Sequence, residues 1–91
     1  MTDAPMTDTP AKIVFTTGFA RRYTGGQREF DIVTKNLRGV IFEMNRLFPG
    51  LAETLEEETT VAIDGELYEI VYLQPVKPGA EVFFIPKIEG G

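Results

Sequence analysis

The segment from Thr34 to Gly50 reads TKNLRGVIFEMNRLFPG, and its periodicity decides what kind of domain the rest of the chain can form. Leu37, Val40, Ile41, Met44, Leu47 and Phe48 recur at i, i+3, i+4, i+7, i+10 and i+11, which is one stripe of an α-helix. Thr34 is the expected N-cap, its hydroxyl placed to accept from an N–H of the first turn. Pro49-Gly50 stops the helix, because proline cannot continue the ladder and glycine tolerates the left-handed turn at a helix end. Gly39 falls on the face opposite the stripe, where it costs about 1 kcal/mol relative to alanine with no visible return. A helix with one apolar stripe needs a layer to cover, and no second long amphipathic helix exists in the sequence. That layer is expected to be a sheet.

The flanking segments supply it. Upstream, Lys12 to Thr17 (KIVFTT) is β-branched and aromatic and bounded by Gly18, which reads as a first strand. Phe19 to Tyr23 reads as a loop closing on Gly25-Gly26, and Arg28 to Val33 (REFDIV) alternates Phe30 and Ile32 as a second strand. Downstream, Thr59 to Ile63 and Glu66 to Tyr72 are strands joined by Asp64-Gly65, a dipeptide favoured in type I′ hairpins. Pro78-Gly79 sets a turn before the last strand, Glu81 to Ile88. The expected order is β-β-α-β-β-β, an α+β domain. Its first and last strands lie side by side in a mixed sheet, with one main helix packed across one face. The segment Met1 to Pro10 (MTDAPMTDTP) offers almost nothing to bury, so residues 1–11 are expected to be a disordered tail, 12–88 the domain and 89–91 a flexible end.

Composition narrows the chemistry. The chain has 91 residues, so one core is the limit, and the seven Phe and three Tyr must serve it. It contains no Cys and no His, which removes disulfides, thiolate nucleophiles, sulfur-based metal sites and the commonest general base; no metal site is expected. A formal charge of −5 argues against a nucleic-acid partner and favours basic proteins. No apolar run approaches the roughly 18 residues of a membrane helix, and the N-terminus carries no signal-peptide core, so a cytoplasmic domain with no membrane contact is expected. The acidic run Glu53 to Glu58 (ETLEEE) reads as a solvated loop.

The last strand is apolar on both parities: Val82, Phe84, Pro86 and Ile88 form one set, Phe83 and Ile85 the other. One helix covers only one face. The second set is therefore expected in an exposed apolar patch that marks a protein interface, unless the Leu73 to Lys77 loop and the Leu51 to Leu55 segment cover it. Beyond Ile88 the sequence reads Glu89-Gly90-Gly91. A Gly-Gly end is the thinnest extended peptide a protein can offer, and it presents an α-carboxylate, ionised at neutral pH, to whatever narrow site it enters. A carboxylate can attack the α-phosphate of ATP and become an acyl-adenylate. Nothing in this chain could catalyse that step, so an activating enzyme must be a separate protein.

The stretch Pro78 to Gly91 (PGAEVFFIPKIEGG) resembles the C-terminus of the MoaD/ThiS sulfur-carrier family. Members end in a glycine-containing turn, an acidic residue, an apolar strand, a proline, one more apolar residue and Gly-Gly. KIVFTTGFARRYTG, the central helix and Val61 to Tyr68 fall in the matching order from about Lys12 onward. The resemblance implies a ubiquitin-like β-grasp fold and a non-enzymatic carrier. It implies that Gly91, following Gly90, is adenylated by an E1-like enzyme using ATP and converted to a thiocarboxylate, with no cofactor bound by the chain itself. A larger synthase subunit then takes the sulfur, for the pterin precursor of the molybdenum cofactor or for the thiazole of thiamine. It also implies that Phe83, Ile85 and Lys87 lie on the strand face turned toward partners. Lys87 stands where a second proline is frequent in the family and Glu89 where a small residue is usual. A partner that holds this end therefore needs a Lys or Arg facing Glu89. Two other functions fit the same residues: an interaction module that never activates its end, and a small modifier joined to lysines.

Overall fold

The computed structural model describes residues 9–87. Their elements are β1 (Ala11–Phe15), α1 (Thr17–Tyr23), β2 (Glu29–Ile32), α2 (Leu37–Leu47), α3 (Leu51–Glu58), β3 (Thr59–Ile63), β4 (Glu66–Tyr68) and β5 (Glu81–Pro86). The five strands form one mixed sheet in the order β2-β1-β5-β3-β4. β1 and β5 pair in parallel, and the other neighbours are antiparallel. The first and last strands thus meet at the centre, as expected of two hairpins joined by a crossover. β1 begins at the buried Ala11, one residue before the expected start. Gly90 and Gly91, the end of the domain at residue 88 and most of the segment 1–11 lie outside the described residues.

α2 supplies the covering layer through Leu37, Val40, Ile41 and Met44, all fully buried. Opposite them the sheet turns inward Ile13, Phe15, Val61, Ile63, Val82 and Phe84. Phe15 is the aromatic hub, with ring centroids 5.0 Å from Phe19, 5.6 Å from Phe84 and 5.9 Å from Phe30. Phe48, half-buried at the helix end, meets Phe30 edge-on at 5.8 Å. Leu47 departs from the expected stripe and is exposed. At about 100° per residue it lies on the margin of the arc that the other apolar positions define.

The N-cap of α2 is Asn36 rather than Thr34: its Oδ1 accepts from the Gly39 N–H at 3.0 Å. A β-bridge between Asn36 and Pro75 holds the chain extended up to the cap, which delays the helix. Thr34 braces the cap instead, donating its hydroxyl to the Asn36 carbonyl at 3.0 Å. This arrangement accounts for Gly39, since a Cβ there would come within 1.9 Å of Thr34 Oγ1.

Two helices replace expected loops. Phe19 to Tyr23 belongs to α1, where Thr16 Oγ1 accepts from the Phe19 N–H at 3.2 Å and Phe19 and Ala20 are buried. The acidic run Glu53 to Glu58 belongs to α3, which buries Leu51 and Leu55 and leaves Glu53, Glu56, Glu57 and Glu58 exposed. Asn45 on α2 caps α3 from outside, its Oδ1 accepting from the N–H groups of Gly50 and Ala52 at 3.0 Å each. Glu53 in the first turn suits the positive end of the helix dipole. β4 is also shorter than expected. After Tyr68 the chain leaves the sheet, and its carbonyls at Tyr72 and Gln74 accept from the first-turn N–H groups of Arg38 and Leu37 at 3.0 and 2.9 Å. At the β3–β4 turn Asp64 and Gly65 both have positive φ, 51° and 86°, as a type I′ hairpin requires.

Candidate functional site

β5 is the central strand, and its alternation sorts its residues as the sequence predicts. Val82 and Phe84 are fully buried under α2, whereas Phe83 and Ile85 are half-buried on the face that α2 leaves open. The register builds a row across that face. Phe83 pairs with Val14 on β1 and with Ala62 on β3, and Ala62 pairs with Leu67 on β4. Ile85 pairs with Thr60. Leu67 is 69% exposed, an apolar side chain on an edge strand with solvent on one side. Ile85, Pro86 and Lys87 border, with Thr60 and Leu67, an open depression of about 440 Å³. Lys12 and Glu29 form an exposed ion pair at 3.8 Å on the same sheet.

Neither of the two segments that could have covered Phe83 and Ile85 does so. The chain from Tyr72 to Val76 is tied to the start of α2 by backbone hydrogen bonds, including Val76 N–H to the Lys35 carbonyl at 2.9 Å. Leu51 and Leu55 belong to the core on the helix side. Leu67, Val14 and Thr60 are the face residues that sequence reasoning missed. Each is outward by strand alternation, but their approach to Phe83 and Ile85 depends on pairings between distant segments.

A further anchor follows the end of β5. Pro86 is the register partner of Thr59, and beyond it the Lys87 N–H donates to the Glu58 carbonyl at 2.8 Å. The Glu58 side chain accepts from the Tyr23 hydroxyl at 3.1 Å, joining α1 to the same point. A second depression of about 330 Å³, lined by Thr16, Phe19, Arg22, Tyr23, Glu58 and Pro86, lies beside this exit. Arg22 stacks over the Tyr23 ring at 5.5 Å. Lys87 is exposed. The described residues thus place Phe83 and Ile85 on one face of β5, with Lys87 past its end, bordering both the depression at Ile85 and a smaller one beside Glu56 and Glu69. Among those described residues no group of three or more His, Cys, Asp or Glu could hold a metal ion, and no helix is long and apolar enough to cross a membrane.

The fold is that of known proteins. The chain superposes on CysO of Mycobacterium tuberculosis with a TM-score of 0.71 at 18% identity, covering 86% of this chain and 99% of that one. For CysO of Amycolatopsis orientalis, solved as a BexX/CysO complex, the values are 0.72, 20%, 89% and 99%. For small archaeal modifier protein 1 of Methanosarcina acetivorans they are 0.73, 14%, 91% and 97%. These likenesses establish the ubiquitin-like β-grasp fold. No family model matches the sequence, and no curated protein matches it.

Proposed function

We propose that this protein is a sulfur carrier whose working group is the C-terminal carboxylate of Gly91. One observation carries the reading. The central strand presents Phe83 and Ile85 on an uncovered sheet face and is anchored at Lys87, four residues from Gly91. Extended, those four residues reach about 14 Å, enough to enter a narrow partner site while the sheet face stays on the partner's surface. The β-grasp fold, shared with a putative molybdopterin converting factor subunit 1 of Pyrococcus furiosus at a TM-score of 0.64, supports the same reading.

The chemistry belongs to the carboxylate and to partners. A Gly91 carboxylate oxygen attacks the α-phosphorus of ATP held by an E1-like enzyme, the α–β phosphoanhydride bond breaks, and pyrophosphate leaves. Hydrosulfide then attacks the acyl carbon of the adenylate, AMP leaves with the original carboxylate oxygen, and a thiocarboxylate remains. A larger synthase subunit takes that sulfur for the pterin precursor of the molybdenum cofactor, or a thiazole-forming enzyme takes it for thiamine. The chain contributes no catalyst, having no Cys or His, and binds no cofactor of its own; it acts in the cytoplasm. Phe83, Ile85 and Lys87 dock the partner, and a Lys or Arg on that partner faces Glu89.

The likeness to a small archaeal modifier favours a second reading, in which the same adenylate is passed to a lysine and ends as an isopeptide. Incubation with an E1-like enzyme, ATP and a sulfide source, followed by intact mass measurement, separates the readings. A gain equal to one sulfur-for-oxygen exchange supports the carrier. Adducts on other proteins support the modifier. An unchanged mass with every activating enzyme leaves only an interaction module and overturns the proposal.

A further inference from the structure

A second apolar patch lies on the other side of α2 from the open sheet face. Leu37, Val40, Ile41 and Met44 point into the core, and Phe42 points away from it, 52% exposed. The segment after β4 comes up against Phe42 through Tyr72, whose ring meets it edge-on with centroids 6.4 Å apart. Arg38, one turn back on α2, places its guanidinium 4.4 Å from the Phe42 ring centre. At the other end the Tyr72 hydroxyl donates to Glu56 on α3. The four side chains therefore run in the order cation, aromatic, aromatic, anion.

Beside this row Leu73 is 77% exposed in a turn that the Gln74 N–H closes onto the Val71 carbonyl at 3.0 Å. Glycine, asparagine and aspartate are the usual residues of such tips, and a leucine there does nothing for the turn. The turn is nevertheless fixed, because its flanking carbonyls accept from the first turn of α2. Val71, also exposed, adds to the apolar surface. The result is a preformed apolar knob bordered by opposite charges at its two ends.

A surface ordered in this way is complementary to itself. A two-fold axis through the Phe42–Tyr72 pair sets Arg38 of one copy against Glu56 of the other, twice, with the aromatic rings and Leu73 between. We infer that this chain self-associates as a symmetric dimer through Arg38, Phe42, Tyr72, Leu73 and Glu56. About five side chains make the contact, against the roughly 20–30 residues a side of a stable interface, so the dimer is weak, with a dissociation constant on the order of 100 µM. The open sheet face with Phe83 and Ile85 lies across the sheet from it and stays free in both copies, whereas Lys87 borders the Glu56 end, sharing a small depression with Glu56 and Glu69.

The test is sedimentation equilibrium of the full chain from about 10 µM to about 1 mM, the range that brackets weak association. The apparent mass is expected to rise toward twice the monomer. Leu73→Glu abolishes the rise without changing the melting temperature, and Phe83→Glu leaves it intact. Arg38→Glu and Glu56→Arg each suppress it, and the double reversal restores it because the complementary pairs re-form with their signs exchanged. A monomer mass throughout the range overturns the inference. So does association that Phe83→Glu removes, association that survives Leu73→Glu, or a double reversal that fails to restore it.

Discussion

The Lys87 N–H donates to the carbonyl of Glu58 at 2.8 Å, one residue past the last register pair of β5 and β3. Pro86 has no N–H to give, so this bond holds the chain where the described residues end. It ties Lys87 to α3 and, through the Tyr23–Glu58 hydrogen bond, to α1.

The two parities of β5 separate binding from stability. Phe83→Asp is expected to weaken binding to an activating or synthase partner at least about tenfold, as the loss of an interface anchor does, with a small change in melting temperature. Phe84→Ala, in the core, is expected to cost about 3–5 kcal/mol. Calorimetric titration and denaturant unfolding of both variants check this. If Phe83→Asp unfolds the domain, the face assignment is wrong.

Gly39 is expected to resist the substitution that helix propensity recommends. Alanine gains about 1 kcal/mol in propensity, but its Cβ meets Thr34 Oγ1 and Cβ. Gly39→Ala should therefore be net destabilising by about 1–2 kcal/mol, the usual range for overpacking. Thr34→Ala in the same chain recovers part of that loss. Asn36→Ala alone loses the cap and costs about 1 kcal/mol. Urea midpoints of the four proteins measure all three effects.

Most of the sheet and α2 could be read from the sequence because their signals are local: period-two strands, a 3.6-residue stripe, and turn dipeptides at Asp64-Gly65 and Pro78-Gly79. The outward parity of Phe83 and Ile85 was legible for the same reason. α1 was not, since its seven residues begin Thr-Gly and bury only Phe19 and Ala20. α3 left a trace in Leu51 and Leu55, four apart, but its four glutamates outweighed it. The expected cap at Thr34 failed because the bridge from Asn36 to Pro75 crosses 39 positions in the chain. Val14, Thr60 and Leu67 were missed at the site for that same reason, since only the strand register brings them beside β5.

Alkaline pH should weaken the contact between α3 and the segment after β4. The hydrogen bond to Glu56, then burial, then the negative charge of Glu56 raise the Tyr72 pKa above its ordinary value, against a smaller opposing effect of Arg38. The folded state thus favours the protonated phenol. Its contribution is fully present below the unfolded tyrosine value of about 10 and is lost as pH rises through the higher folded value. Tyr68, whose pKa the Glu66 carboxylate raises, behaves the same way. Thermal melts across this range should fall more steeply for the wild type than for Tyr72→Phe. Parallel curves would remove Tyr72 from the account.

The central claim is that the main-chain acid at Gly91 is the reactive group and that the domain only presents it. ATP–pyrophosphate exchange by an activating enzyme, measured with the intact chain, with Gly91 deleted and with one residue added after it, tests this most directly. Exchange is expected with the intact chain alone, while all three proteins melt at the same temperature. Equal exchange with the deleted or extended chain would contradict the claim.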